Sequence, residues 1–202
     1  MIYDVLIIGG GAAGMSCALM LGSAKNEPYA KGKKIGIIAH QRSSSLQNAV
    51  FNNVLSLEAG TTGASILKNG KQQLKDLYPE VTQIESEKVL SVSTQENTTK
   101  VTTNKSTYSA NKIVIATGPK NFSIKGLEQY MLPHSKITPD KPRTELKHEN
   151  FVVTKNIYVA GVLAGLRSQF AIASGSGAMV ATDILCEWNN GNPVKIHDKI
   201  IS

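Results

Sequence analysis

A glycine-rich turn near the start constrains this chain more than any other feature. Tyr3–Ile8 is an apolar run broken only by Asp4, as suits a buried parallel strand, and it leads straight into Gly9-Gly10-Gly11-Ala12-Ala13-Gly14. The spacing is G-x-G-x-x-G, and a small-residue helix, Ala12–Leu21, follows. In such a junction Gly9 permits the tight turn, Gly11 lets a pyrophosphate reach the backbone, and Gly14 lets helix pack on strand. Ala12 and Ala13 then lie in the first turn, where the helix end carries partial positive charge. Lys34–Ala39 supplies a second buried strand, which completes a right-handed βαβ unit. The motif implies a dinucleotide and leaves open which one.

Beyond this unit the pattern changes. His40–Gly60 is irregular and polar, and Ala64–Tyr78 reads as a helix with Gly70 inside it. Glu85–Thr94, Thr98–Thr103 and Ser106–Ala110 alternate and are rich in β-branched residues, which predicts an antiparallel meander. Lys112–Ala116 is again a buried parallel strand, ending at Thr117-Gly118. Pro119–Lys155 holds four prolines and little periodicity. Asn156–Ala160 is a short buried strand closed by Gly161, and Gln169–Trp188 is a long helix whose overall apolarity predicts burial on several sides. The tail after Asn189 reads as peripheral.

Composition excludes several classes. At 202 residues, 41% of them hydrophobic, the chain suits one large domain. No apolar run approaches a membrane span of about 20 residues, and no basic segment precedes the first apolar run, so the chain is read as cytoplasmic, with no membrane association. Cys17 and Cys186 are far apart and belong to no C-x-x-C, which argues against a disulfide framework, a zinc site or a local dithiol. The net charge of +7 comes from scattered lysines with few aromatics among them, so a solvated basic surface is preferred to a nucleic-acid interface. His40, His134, His148 and His197 are isolated and read as loop or surface residues. No side chain stands out as a general base.

Three segments together carry a resemblance: the fingerprint, Ile115-Ala116-Thr117-Gly118, and Asn156–Gly161 with Arg167-Ser168-Gln169 after it. The chain resembles the FAD-binding domain of the thioredoxin reductase-like branch of the pyridine nucleotide–disulfide oxidoreductases. The resemblance implies FAD, with its pyrophosphate at Gly9, Gly11 and Gly14. It places Thr117, Gly118, Gly161 and the backbone at Val162 along the cofactor. Phe51-Asn52-Asn53-Val54-Leu55 is similar to the family's Asn-containing loop, which places Asn53 beside the flavin ring. Arg167 and Gln169 correspond to an Arg-Gln-Ala stretch at the start of the last helix. The N-terminus of that helix, aimed at the pyrimidine edge, would stabilise the anion formed on reduction.

Three departures qualify the resemblance. The second strand ends Ile38-Ala39-His40 where the family has an acid for the adenosine ribose, leaving backbone or a neutral side chain such as Gln41 or Ser43. The late Gly-Asp is Gly161-Val162 here. The family's NAD(P)H domain and its dithiol are replaced by the short Pro119–Lys155 interval. Ala39-His40-Gln41-Arg42-Ser43-Ser44 also looks like a strand end selective for NADP, so a single NADP site without flavin stays open.

The expectation is therefore an α/β fold of FAD-binding Rossmann type, with a parallel sheet, helices on both faces and a small antiparallel meander. Residues 1–202 form one domain, with 1–118 and 156–189 as its nucleotide-binding core and 119–155 as a link. The expected function is a small FAD-dependent oxidoreductase fed by NAD(P)H or a redox partner protein and passing electrons to a further acceptor, protein or small molecule. The alternative is a non-catalytic flavin-binding sensor or subunit. A homodimer is permitted and not required.

Overall fold

The computed structural model describes residues 2–41 and 44–196. Strand β1 (Ile2–Ile8) runs into helix α1 (Ala12–Ser23) and returns as β2 (Ile35–Ile38). A short hairpin, β3 (Val50–Phe51) and β4 (Thr61–Thr62), precedes α2 (Gly63–Leu77) and β5 (Thr82–Ile84). The meander is β6 (Val89–Gln95), β7 (Thr98–Thr103) and the first half of β8 (Thr107–Ile115). A second hairpin, β9 (Met131–Pro133) and β10 (Thr144–Leu146), leads to β11 (Val152–Thr154), β12 (Ile157–Val159) and α3 (Phe170–Trp188).

The main sheet runs β11-β12-β8-β1-β2-β5. β1 pairs in parallel with β2 on one side and β8 on the other. β12 and β5 extend the parallel set, and β11 closes one edge antiparallel. Order therefore reverses at β1, which sets the switch point, where ligands bind in open α/β sheets, at the carboxyl ends of β1 and β8.

Alternation along the strands sends residues to two cores. Val5, Ile7, Ile37, Val114 and Tyr158 pack with Cys17, Leu21, Val180 and Ile184 under α1 and α3, and α2 adds Leu74. Leu6, Ile8, Ile113, Ile115 and Val159 face the other way, against Val92 and Val101 of the meander and Ile124, Leu127 and Leu146 of the 119–155 interval. The α-helices thus flank one face, while strands and single helical turns at Glu128–Tyr130 and Gly161–Ala164 cover the other. The interval expected as a link contributes side chains to the core.

The expected Rossmann-type α/β class holds, but the α-helices expected on both faces lie on one, because the meander and the 119–155 interval cover the other. The segments expected as Ser106–Ala110 and Lys112–Ala116 are one strand, because β8 pairs with β7 along its first half and with β12 along its second. β5 lies where no strand is expected from the sequence, being short and set at an edge. α3 is less buried than its apolarity predicts: Ile172 and Met179, seven residues apart on one face, are exposed. The tail is not wholly peripheral, since Val194 and Ile196 pack against the helical core. No described helix is long and apolar enough to cross a membrane.

Candidate functional site

The three glycine segments converge on the first turn of α1. Gly9 has φ +118°, and a Cβ there would collide with the carbonyl oxygen of Ala116, so the ends of β1 and β8 touch. A Cβ at Gly14 would strike the Gly9 carbonyl oxygen, which closes the helix onto its own turn. A Cβ at Gly161 would lie 3.1 Å from Ala13 Cβ. Gly177, two turns into α3, rests on the Ala13 carbonyl so closely that a Cβ would overlap it. The Ser176 hydroxyl accepts the buried Gly161 N–H at 2.8 Å and donates to Ala173 O at 2.7 Å. The sequence pattern does not mark Gly175-Ser176-Gly177 as part of the site, because no strand precedes it. Small residues inside a long apolar helix are the available signal of a close helix crossing.

Gly11 differs from its neighbours. A Cβ there meets nothing nearer than Ser44 Oγ at 3.8 Å. Gly11 is the N-cap of α1, no side chain caps the helix, and its first turn holds no acid. The amides that follow it, of Ala12, Ala13 and Gly14, begin a helix and have no intrahelical acceptor. Thr117 is exposed beside them, and Gly118, with φ +80°, faces open space. This is a cradle that a Cβ would fill, with donors at its base, and it fits a pyrophosphate.

The end of β2 is built differently. Gln41 donates from Nε2 to Gly10 O at 2.7 Å, and Gln47 Nε2 donates to Gln41 O at 3.3 Å. Gln41 thus supports the glycine turn. His40, half-buried, stands beside it, while Arg42, Ser43 and His197 lie outside the described residues. Beyond Gln41 a groove of about 820 Å³ runs between α2 and β5, walled by Lys68, Lys71 and Lys75. Lys71 is paired with Glu85 at 2.6 Å across it.

Asn53 is exposed in the β3–β4 loop, which Asn52 closes by accepting the Gly60 N–H at 2.8 Å. Phe51 packs on Phe170 with ring centroids 5.3 Å apart, so this hairpin sits at the start of α3. Arg167 and Gln169 are exposed there, and Gln169 is an N-cap whose side chain makes no capping bond. Val162 offers no side-chain polar group; its carbonyl accepts Gly165 N–H at 3.0 Å and pairs with His134 Nε2 at 2.9 Å. His134 stands in the β9–β10 loop, as a loop histidine was expected to, but it is buried and not at the surface: it lies under the turn that follows β12. Burial pushes the Cys17 thiol up to about 12, as suits an inert core residue. Among the described residues no group of His, Cys, Asp and Glu is arranged to hold a metal.

Known structures share this architecture. A thioredoxin reductase from Gloeobacter violaceus superposes with a TM-score of 0.73 over 100% of this chain and 99% of its own, at 14% identity. A ferredoxin-flavin thioredoxin reductase from Clostridium acetobutylicum gives 0.67 over 94% and 99%, at 17% identity. The thioredoxin reductase of T. acidophilum gives 0.66 over 92% and 98%, at 15% identity. At such identities these likenesses speak for the fold. No curated protein matches the sequence. The sequence profile of one family, described as pyridine nucleotide-disulphide oxidoreductase, matches residues 3–167, from the first strand to the arginine before α3. A match of that extent, from the first strand through Gly161 and its turn, makes the chain a member of the pyridine nucleotide-disulphide oxidoreductase family.

Proposed function

We propose that the chain is a small FAD-dependent oxidoreductase, thioredoxin reductase-like in fold, that takes electrons from NAD(P)H or a partner protein and delivers them to a separate acceptor. The observation that carries this reading is the open Gly11 cradle between sealed glycines, with Ala116-Thr117 against Gly9 on one side and Gly161 against Ala13 on the other. Gly11 and the first amides of α1 hold the pyrophosphate. Thr117 and Gly118 line the cofactor beyond the end of β8, and the Gly161–Ala164 turn meets its ribityl part through backbone. The uncapped start of α3, with Arg167 beside it and Asn53 on the facing hairpin, sets the electrostatics of the ring. FAD, when bound, supplies the hydride and electron chemistry, and the protein supplies orientation and charge.

A second reading, a non-catalytic flavin-binding sensor or subunit, is favoured by the lost carboxylates: Ala39 and Val162 stand where the family places acids. The groove beyond Gln41 gives the adenosine room, and the acid on its wall, Glu85, is taken up by Lys71.

Purified protein tests both readings. A yellow protein that releases flavin on denaturation, or that takes up FAD on reconstitution, supports FAD binding; a colourless protein that cannot be reconstituted overturns it. Anaerobic mixing with NADH and NADPH follows. Bleaching by either supports the oxidoreductase and identifies its donor; no bleaching by either shifts the reading to the partner-fed or non-catalytic role.

A further inference from the structure

Two histidines from the 119–155 interval grip the same short turn. His134 Nδ1 accepts the Lys136 N–H at 3.1 Å, so the ring proton sits on Nε2 and is donated to Val162 O at 2.9 Å. His148 repeats the arrangement: Nδ1 accepts the Phe151 N–H at 3.0 Å, and Nε2 donates to Ala164 O at 3.1 Å. Each ring is thus held as one neutral tautomer by a backbone amide close by in sequence. Phe151 stacks on His148, with centroids 5.4 Å apart and planes 8° from parallel. Glu145 Oε2 lies 3.8 Å from His134 Nδ1 but is taken up by the Ser135 N–H and hydroxyl, both at 2.9 Å. The two carbonyls engaged are two residues apart in the Gly161–Ala164 turn, which rests on Ala13 in the first turn of α1.

We propose that His134 and His148 are positioning residues for the cofactor site, locking the Gly161–Ala164 turn against α1 so that its backbone can meet FAD where the family carboxylate is replaced by Val162. The inference rests on the FAD reading above. It makes the interval after Gly118 a working part of the site. The carboxylate of the family's late Gly-Asp would reach the cofactor directly; here the turn must act through its backbone, whose position two imidazoles fix from behind. Both histidines act through the carbonyls of that turn.

The test compares two probes, FAD and ADP, on the whole chain. ADP needs the glycine turn at the end of β1, whereas FAD needs the Gly161–Ala164 turn as well. His134→Ala and His148→Ala should each weaken FAD binding by about tenfold, the scale of one net hydrogen bond, and leave ADP affinity unchanged. His134→Gln keeps an amide donor and an acceptor and should restore most of the loss. Because the alanine variants risk misfolding, the Gln variant and the ADP measurement separate positioning from simple loss of fold. Equal loss of FAD and ADP would mean a general structural role and would overturn the proposal, as would FAD affinities equal to wild type. Failure of the wild-type protein to bind FAD would instead sink the FAD reading on which the proposal stands.

Discussion

Gly11 and Gly177 both lie against α1 and have opposite surroundings. Gly177 is sealed: a side chain would enter the Ala13 carbonyl. Gly11 is open, with only Ser44 Oγ within 4 Å of the place its side chain would take. The difference separates two jobs that a glycine motif merges. Gly9, Gly14 and Gly177 bring backbones together; Gly11 keeps a space free. Packing accounts for the first three without any ligand. The fourth glycine has no packing reason, and the pyrophosphate proposed above would fill its space.

The largest effect that would sharpen this contrast is Gly177→Val. Forcing a branched side chain into the α1–α3 seam should cost about 3 kcal/mol or more and lower the thermal midpoint by about 10 °C. A midpoint within about 2 °C of wild type would break the sealed half of the comparison. Ser176→Ala comes next. It strands the buried Gly161 N–H, at a cost of about 1–3 kcal/mol measured by denaturant unfolding.

The meander face offers a pH test. Glu87 is buried, and the Thr103 hydroxyl, joined by those of Tyr108 and Ser106 and by the Lys105 charge, holds its carboxyl below the ordinary glutamate value against the opposing effect of burial. A carboxyl lowered on folding stabilises fully above its unfolded value of about 4.3, and that stability drains away as pH falls through the lower folded value. Glu87→Gln should therefore lower stability at neutral pH and flatten the acid limb of the stability profile. An unchanged acid limb would mean that Glu87 contributes nothing there. The smallest effect is Gly70→Ala in α2. Its Cβ would meet only Met15, at 3.5 Å, so the substitution should add about 0.5–1 kcal/mol by helix propensity.

Much of this is legible in the sequence where one face of an element dominates it. The apolar run and the small-residue helix bound β1 and α1 within two residues, because an apolar run ending in glycine has few other solutions. Strict alternation places β7 at its observed limits. The unity of β8 is hidden, since its change of neighbour at Asn111 depends on β12, far later in the chain. The 119–155 interval reads as a link because Ile124, Leu127 and Leu146 follow no period, yet all three are buried in the core. Site residues divide the same way. Gly9, Gly11 and Gly14 carry their geometry in their spacing. Gln41, expected near a ribose, is bonded to Gly10 O, and the isolated His134 and His148 find their carbonyls sixteen or more residues away. Tertiary partners of that kind leave no local pattern.

The most direct test of the open cradle is the FAD content of Gly11→Val, measured beside its thermal midpoint. The cradle predicts a cofactor-free midpoint within about 2 °C of the wild-type apoprotein, the shift of less than 1 kcal/mol, together with loss of bound FAD. Retention of FAD at the wild-type level would contradict the cradle's role and place the cofactor elsewhere.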